Sequence, residues 1–225
     1  MAKMDTTAHE QGTEDWYKDR LGIPTASRYG DILAKRGGFA RYASTSRKNY
    51  LAELLTERLT GQPYSRYGKT AYMDWGTQME PAARLRYELE TGNTVEERGL
   101  KKHLFLDTGA SADGIVEVDN WRGEGKGGIE IKNRTPAHHL EALTTGKVPS
   151  IYIPQIQGNM MCDKERLWWD WVSYAPDFSE NAQIVIVRVY RDEDYIKNLE
   201  IEVALFIDEL KAAEKKVREY NVKVL

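Results

Sequence analysis

Residues 128–132 read Gly-Ile-Glu-Ile-Lys. In an extended chain the side chains alternate between two faces, so Glu130 and Lys132 share one face and Ile129 and Ile131 the other. Asp113 stands just before Gly114, at the start of an earlier apolar run, Ile115–Val118. If the two runs pair as a hairpin, the midpoint between Asp113 and Glu130 falls at Trp121–Arg122, inside the connecting loop. The two carboxylates then lie nearly opposite each other. Like charges opposed across strands destabilise a sheet, and a hard cation bound by carboxylate oxygens offsets that repulsion. A magnesium ion held there can activate water and stabilise charge developing on a phosphate. Lys132 adds a movable point charge that can orient or deprotonate the water, or stabilise a pentacoordinate phosphate. Glu-x-Lys alone is far more often a pair of exposed residues on a solvated strand face, so its weight depends on the surrounding sequence.

The elements that must position these residues are those of a mixed α/β domain. With 225 residues the chain suits one domain, expected to span 1–225 with a loose segment over 1–14. Tyr17 to Leu33 leads into a helix with Ser27 as a candidate N-cap, and Arg47–Thr60 has helical spacing that stops at Gly61. A second helix ends at Thr91-Gly92, with Pro81 marking its regular start and Glu80 at its N-cap. Strands are expected over Lys101–Asp107, Ile115–Val118, Gly128–Asn133, Leu167–Tyr174 and Gln183–Tyr190, with a helix from Pro154 to Asp163. A closing amphipathic helix, Glu193 to Tyr220, turns Ile196, Leu199, Val203, Phe206, Leu210 and Val217 inward. The fold class is α/β: a central mixed sheet flanked by helices.

Composition narrows the setting. The polar, acidic start is unlike a signal peptide, and no apolar stretch is long enough to span a bilayer. Cys162 is the sole cysteine, which excludes an intrachain disulfide and multi-cysteine metal clusters, and points to a reduced, cytoplasmic location. Net charge is −3, yet residues 1–70 hold 12 Lys/Arg against 8 Asp/Glu. No acid lies between Asp31 and Glu53, where Lys35, Arg36, Arg41, Arg47 and Lys48 are interleaved with Phe39 and Tyr42. Such a stretch suits a phosphate backbone and its bases, or a solvated loop.

The spacing Asp113…Glu130-x-Lys132 resembles the D…(D/E)-x-K signature of the restriction-endonuclease-like nuclease superfamily. Further motifs are similar to those of the YqaJ-type viral recombination nucleases, the phage exonucleases like lambda exonuclease. They are Arg20-Leu21-Gly22-Ile23-Pro24-Thr25-Ala26-Ser27, then Trp75-Gly76-Thr77-Gln78-Met79-Glu80 followed by Arg84. Ser111-Ala112-Asp113-Gly114, Glu130-Ile131-Lys132 and Gln155-Ile156-Gln157 follow in the family's order. Each is weak alone; the ordered set, over about residues 16–160, is specific. Asn133-Arg134-Thr135-Pro136 departs from the small or apolar residues usual after the motif.

The resemblance implies a magnesium-dependent exonuclease, with manganese as substitute. It would digest the 5′-ended strand of duplex DNA to leave 3′ overhangs for phage-type recombination. Asp113, Glu130 and the Ile131 carbonyl would hold the metal, and Glu80 a second metal or a water. Gln155, and with it Gln157, would approach from the next helix. Arg20, Ser27 and Ser111 would form a 5′-phosphate pocket, chemistry that guanidinium and hydroxyl donors suit. Double-stranded DNA ends, a homotrimeric ring and a single-strand-annealing recombinase are the implied partners. A restriction or repair endonuclease on the same core, or a module that binds DNA ends without cutting, are the alternatives.

Other features read as structural. His138-His139 fall in a polar stretch expected to face solvent. Trp168, Trp169 and Trp171 lie in an apolar strand that suits a core. Cys162 beside Met160 and Met161 suits helix packing.

Overall fold

The computed structural model describes residues 9, 11–34, 44–64, 71–133 and 135–220, with the backbone alone over residues 71–77. Helix α1 spans Glu14–Arg20, begun by Thr13, whose side chain accepts from the Trp16 N–H. A 3-10 turn over Ala26–Arg28 leads to α2, Tyr29–Leu33. Ser27 thus sits inside the turn and caps nothing; Arg28 holds the N-cap position of α2, without a side-chain bond. Helix α3 spans Thr45–Thr60 between Ser44, which accepts from the Arg47 N–H, and Gly61 in the left-handed conformation.

Helix α4 runs unbroken over Ala71–Thr91 with Pro81 inside it. The expected start at Pro81 is therefore ten residues late, and Glu80 is an interior residue rather than a cap. An interior proline costs about 3 kcal/mol of helix stability, which here is outweighed by packing: Ala83 and Tyr87, on the following turns, are fully buried.

The central sheet contains β3 (Gly114–Val116), β4 (Gly127–Asn133), β5 (Trp168–Tyr174) and β6 (Ile184–Tyr190), in that order. β3 and β4 are antiparallel, β4 and β5 parallel, β5 and β6 antiparallel. The expected Lys101–Asp107 strand shrinks to β1, Lys101–Lys102, paired with β2, Gly109–Ala110. Between β4 and β5 lie α5, Pro136–Thr145, and α6, Ile153–Cys162; α7, Glu193–Arg218, closes the fold. The stretch expected as a polar loop is α5, with Pro136 in its first turn and Gly146 as its left-handed C-cap. His139 is fully buried there. Its Nε2 donates to the Ala182 carbonyl, which leaves Nδ1 to accept from the Ser173 hydroxyl at 2.8 Å. Among the described residues no helix is long and apolar enough to cross a membrane.

Two cores flank the sheet. On one face Ala83 and Tyr87 of α4 pack with Val116, Ile129, Ile131, Trp168 and Val172. On the other, α2, α3, α6 and α7 close over Trp169 and Trp171. α7 contributes Ile196, Leu199, Val203, Phe206 and Leu210 as expected, together with Ile207, whereas Val217, about two turns beyond Leu210, is exposed. The parallel ladder sets Gly127 beside Trp168 and Gly128 beside Trp169. A Cβ at either glycine would collide with the neighbouring indole, so the two glycines make room for two tryptophans on opposite faces.

Arg188 of β6 secures the α4 face. Its guanidinium, 1% exposed, grips both oxygens of Asp170 (2.8 and 2.9 Å), donates to Asp119 at 2.6 Å and lies 3.5 Å from the Trp168 ring centre. Tyr87 donates to Asp170 at 2.8 Å. Burial opposes the Asp119 charge, but the Arg188 bond and loop N–H donors prevail and hold its pKa down at about 2. Removing one member of such a network strands the others. Arg188→Met is expected to cost about 3–5 kcal/mol, read from urea unfolding; an unchanged midpoint would show that the network contributes nothing.

Candidate active site

The β3–β4 register pairs Gly114 with Ile129 and Ile115 with Gly128. One step further along the same ladder brings Asp113 opposite Glu130, the arrangement that the hairpin midpoint requires. Asp113 Oδ2 is fixed by the Ile131 N–H at 2.6 Å. Glu130, 1% exposed, accepts from three donors: Lys132 Nζ at 2.6 Å and Gln155 Nε2 at 2.6 Å on Oε1, and Asn159 Nδ2 at 3.1 Å on Oε2. The alternation of β4 supplies Glu130 and Lys132, and one face of α6 supplies Gln155 and Asn159, four residues apart. Asn159 was not among the residues singled out from the sequence, although its i+4 relation to Gln155 places it there.

Electrostatics set the character of the site. Burial, then the neighbouring Glu130 charge, pushes the Asp113 carboxyl well above the usual range; Lys132 and the Ile131 N–H pull against them. Burial also raises Glu80, opposed by Arg84 and reinforced by the Glu130 charge. Burial disfavours the Lys132 ammonium, but Glu130 and Asp113 outweigh it and raise its pKa, so it is a fixed positive charge. Three acids face one ammonium, and repulsion between opposed carboxylates is on the order of a few kcal/mol. The donor set fits a divalent cation that would share Asp113, Glu130 and the Ile131 carbonyl. Among the described residues no group of three or more His, Cys, Asp or Glu is arranged to hold a metal; Glu80 shares the cleft with Asp113 and feels the Glu130 charge.

An open cleft of about 620 Å³ leads to Asp113, bordered by Trp16, Tyr17, Glu80, Arg84 and Glu97. Beside it, Arg20 donates to the Ser111 hydroxyl at 2.9 Å and to Thr25 at 3.3 Å, with its guanidinium 4.3 Å from the Trp16 ring centre. Trp16 Nε1 also donates to Ser111 at 3.2 Å. Ser27 is exposed, 3.4 Å from the Thr25 hydroxyl. Burial lowers the Arg20 pKa. Arg20 has no carboxylate within ion-pair distance among the described residues, so a surface salt bridge does not explain it. Nearby, Gln11 of the segment expected to be loose donates to the Arg98 and Ala112 carbonyls.

Two of the expected DNA-contacting residues are engaged elsewhere. Arg47 is buried, donating to the Ile32 carbonyl and Glu209 and lying over Phe206. Gln157 faces away from Glu130, joining the Tyr190 carbonyl and the Asp192 N–H. Lys48 is exposed; Lys35, Arg36 and Arg41 lie outside the described residues.

Residues 15–165 match the YqaJ-like viral recombinase domain. The chain belongs to that family. Among solved structures, this YqaJ-like protein is similar to an alkaline exonuclease, LHK-Exo, from Laribacter hongkongensis. The two share 40% identity over 92% of this chain and 96% of that one, with a TM-score of 0.80. The same exonuclease in complex with dAMP matches equally. A phage-related exonuclease from Haemophilus somnus 129PT shares the fold, with a TM-score of 0.57 at 16% identity, over 85% of this chain and 96% of that one. No curated protein matches the sequence.

The donors around Glu130 make a testable distinction within α6. Gln155→Ala and Asn159→Ala are each expected to weaken Mn²⁺ binding by about 10–100-fold, the usual effect of removing a partner of a metal-ligating group. Gln157→Ala should leave it unchanged. Titration calorimetry decides; a loss at Gln157 equal to that at Gln155 would contradict the assignment of faces.

Proposed function

We propose that this YqaJ-like protein is a magnesium-dependent exonuclease that digests the 5′-ended strand of linear duplex DNA and leaves 3′ overhangs. The observation that carries the reading is the placement of Arg20 and Ser111 relative to Asp113. Ser111, which holds the Arg20 guanidinium, is two residues from Asp113. That separation is at most about 7 Å along the chain, the order of one nucleotide step. A terminal 5′-phosphate on Arg20 would bring the first internucleotide phosphate towards the carboxylate pair. The 40% identical alkaline exonuclease supports the same reaction class.

A divalent cation held by Asp113, Glu130 and the Ile131 carbonyl would supply a hydroxide-generating Lewis acid and neutralise phosphate charge. The chain's own residues do the rest. Gln155 and Asn159 fix the Glu130 carboxylate, and Asp113 is oriented by the Ile131 N–H. The permanently charged Lys132 stabilises negative charge developing on the phosphoryl oxygens. Water adds to phosphorus and the P–O3′ bond breaks, so the mononucleotide leaves with its 3′ oxygen protonated. The shortened strand keeps a new 5′-phosphate, the group Arg20 selects in the next round. By family resemblance, three copies in a ring and a single-strand-annealing recombinase complete the proposal.

Duplexes labelled at one end or the other, with 5′-phosphate or 5′-hydroxyl termini, test it. The parent should release 5′-terminal nucleotides first and favour phosphorylated ends, and Asp113→Ala should release none. Losing a charged hydrogen bond costs roughly 1.5–3 kcal/mol. Arg20→Ala should therefore slow phosphorylated ends by about ten- to a hundredfold and leave hydroxyl ends near the parent rate. First release from the 3′ end, or equal slowing of both end types, would overturn the proposal.

A further inference from the structure

Glu130 is held by Asn159, and Asn159 is itself incompletely bonded. Its Nδ2 serves Glu130, while its Oδ1 is buried and has no hydrogen-bond partner among the described residues. The indole Nε1 of Trp169 is likewise buried and has none among the described residues. Trp169 is 1% exposed and Asn159 2%, and both line the same small cavity, which Ala112 and Ile115 also border. Unsatisfied buried polar atoms are rare in folded proteins, each costing about 1–3 kcal/mol. One is an acceptor and the other a donor, so their needs are complementary.

The cavity measures about 10 Å³, and Arg98, Lys101 and Asp163 also border it. A void of roughly that size accommodates one water, and voids with polar partners are hydrated whereas purely apolar ones stay dry. The sequence builds the donor's position. Gly128 lies beside Trp169 in the β4–β5 ladder, and a Cβ there would collide with the indole ring. The glycine two residues before Glu130 thus lets the indole lie across β4.

We propose that one buried water bridges Trp169 Nε1 to Asn159 Oδ1, making Trp169 a positioning residue for Glu130. The indole donates to the water, and the water donates to Asn159. An amide whose oxygen is occupied in this way presents its NH₂ group to the Glu130 carboxylate and resists flipping. Trp169 touches neither DNA nor a metal; it acts through Asn159. The inference draws on the proposed nuclease reading only in treating Glu130 as a metal ligand.

A high-resolution crystal structure of the parent tests the water directly: density within hydrogen-bond distance of both atoms is expected, and a dry cavity would overturn the proposal. Trp169→Phe removes the donor and keeps an aromatic ring. It should weaken Mn²⁺ binding, measured calorimetrically, by about three- to tenfold, less than loss of a ligand's direct partner. In an Asn159→Ala background the same substitution should change Mn²⁺ affinity no further. A loss of equal size in both backgrounds would mark Trp169 as packing alone and overturn the positioning role. If the parent binds Mn²⁺ and shows the water but cuts no DNA, the nuclease reading fails and this inference stands.

Discussion

Asp113 and Glu130 are held opposite one another because β3 and β4 pair in one register. Much of the surrounding structure answers this repulsion. Lys132 supplies a permanent charge two residues along the strand, Gln155 and Asn159 reach down from α6, and the Ile131 N–H turns to Asp113. Even so, Asp113 sits well above the usual carboxylate range, chiefly through burial and then through Glu130. The charged form of Asp113 is therefore disfavoured at one point of a well-packed sheet. A cation shared by the two carboxylates would favour that charged form and turn the repulsion into affinity.

The scaffold around this point is stiff for identifiable reasons. Two glycines admit two tryptophans into the β4–β5 layer, and Arg188 ties β5, β6 and the 119–124 loop beneath α4. On the opposite face α6 packs against the sheet with nearly every residue buried, which fixes its Gln155/Asn159 face over Glu130. The Arg20–Ser111–Trp16 cluster lies beside the cleft to Asp113, which Trp16 itself borders.

The facing carboxylates were legible in the sequence because a strand's period of two and a hairpin's midpoint are both counted along the chain. The tryptophan core and the inner face of α7 were legible for the same reason. What a single sequence does not carry is burial. Arg47 and Gln157 have the chemistry of DNA-contacting residues, but tertiary packing turns both inward. Pro81 reads as a helix start, yet the burial of Ala83 and Tyr87 carries α4 through it. Helix α5 is bracketed by Thr135-Pro136 and Gly146, but its His138-His139 pair has the composition of a polar loop. Asn159 shows the limit most clearly: its spacing from Gln155 was visible, and the buried carboxylate oxygen it serves was not.

The opposed carboxylates constitute an electrostatic strain that a divalent cation would relieve. Thermal unfolding of the parent and of Asp113→Asn, in chelator and in magnesium, measures it most directly. In chelator, Asp113→Asn should melt at or above the parent, because one of two repelling charges is gone. Magnesium should raise the parent's melting temperature and leave that of the variant unchanged. A variant that melts below the parent in chelator, with magnesium shifting both alike, would contradict the account.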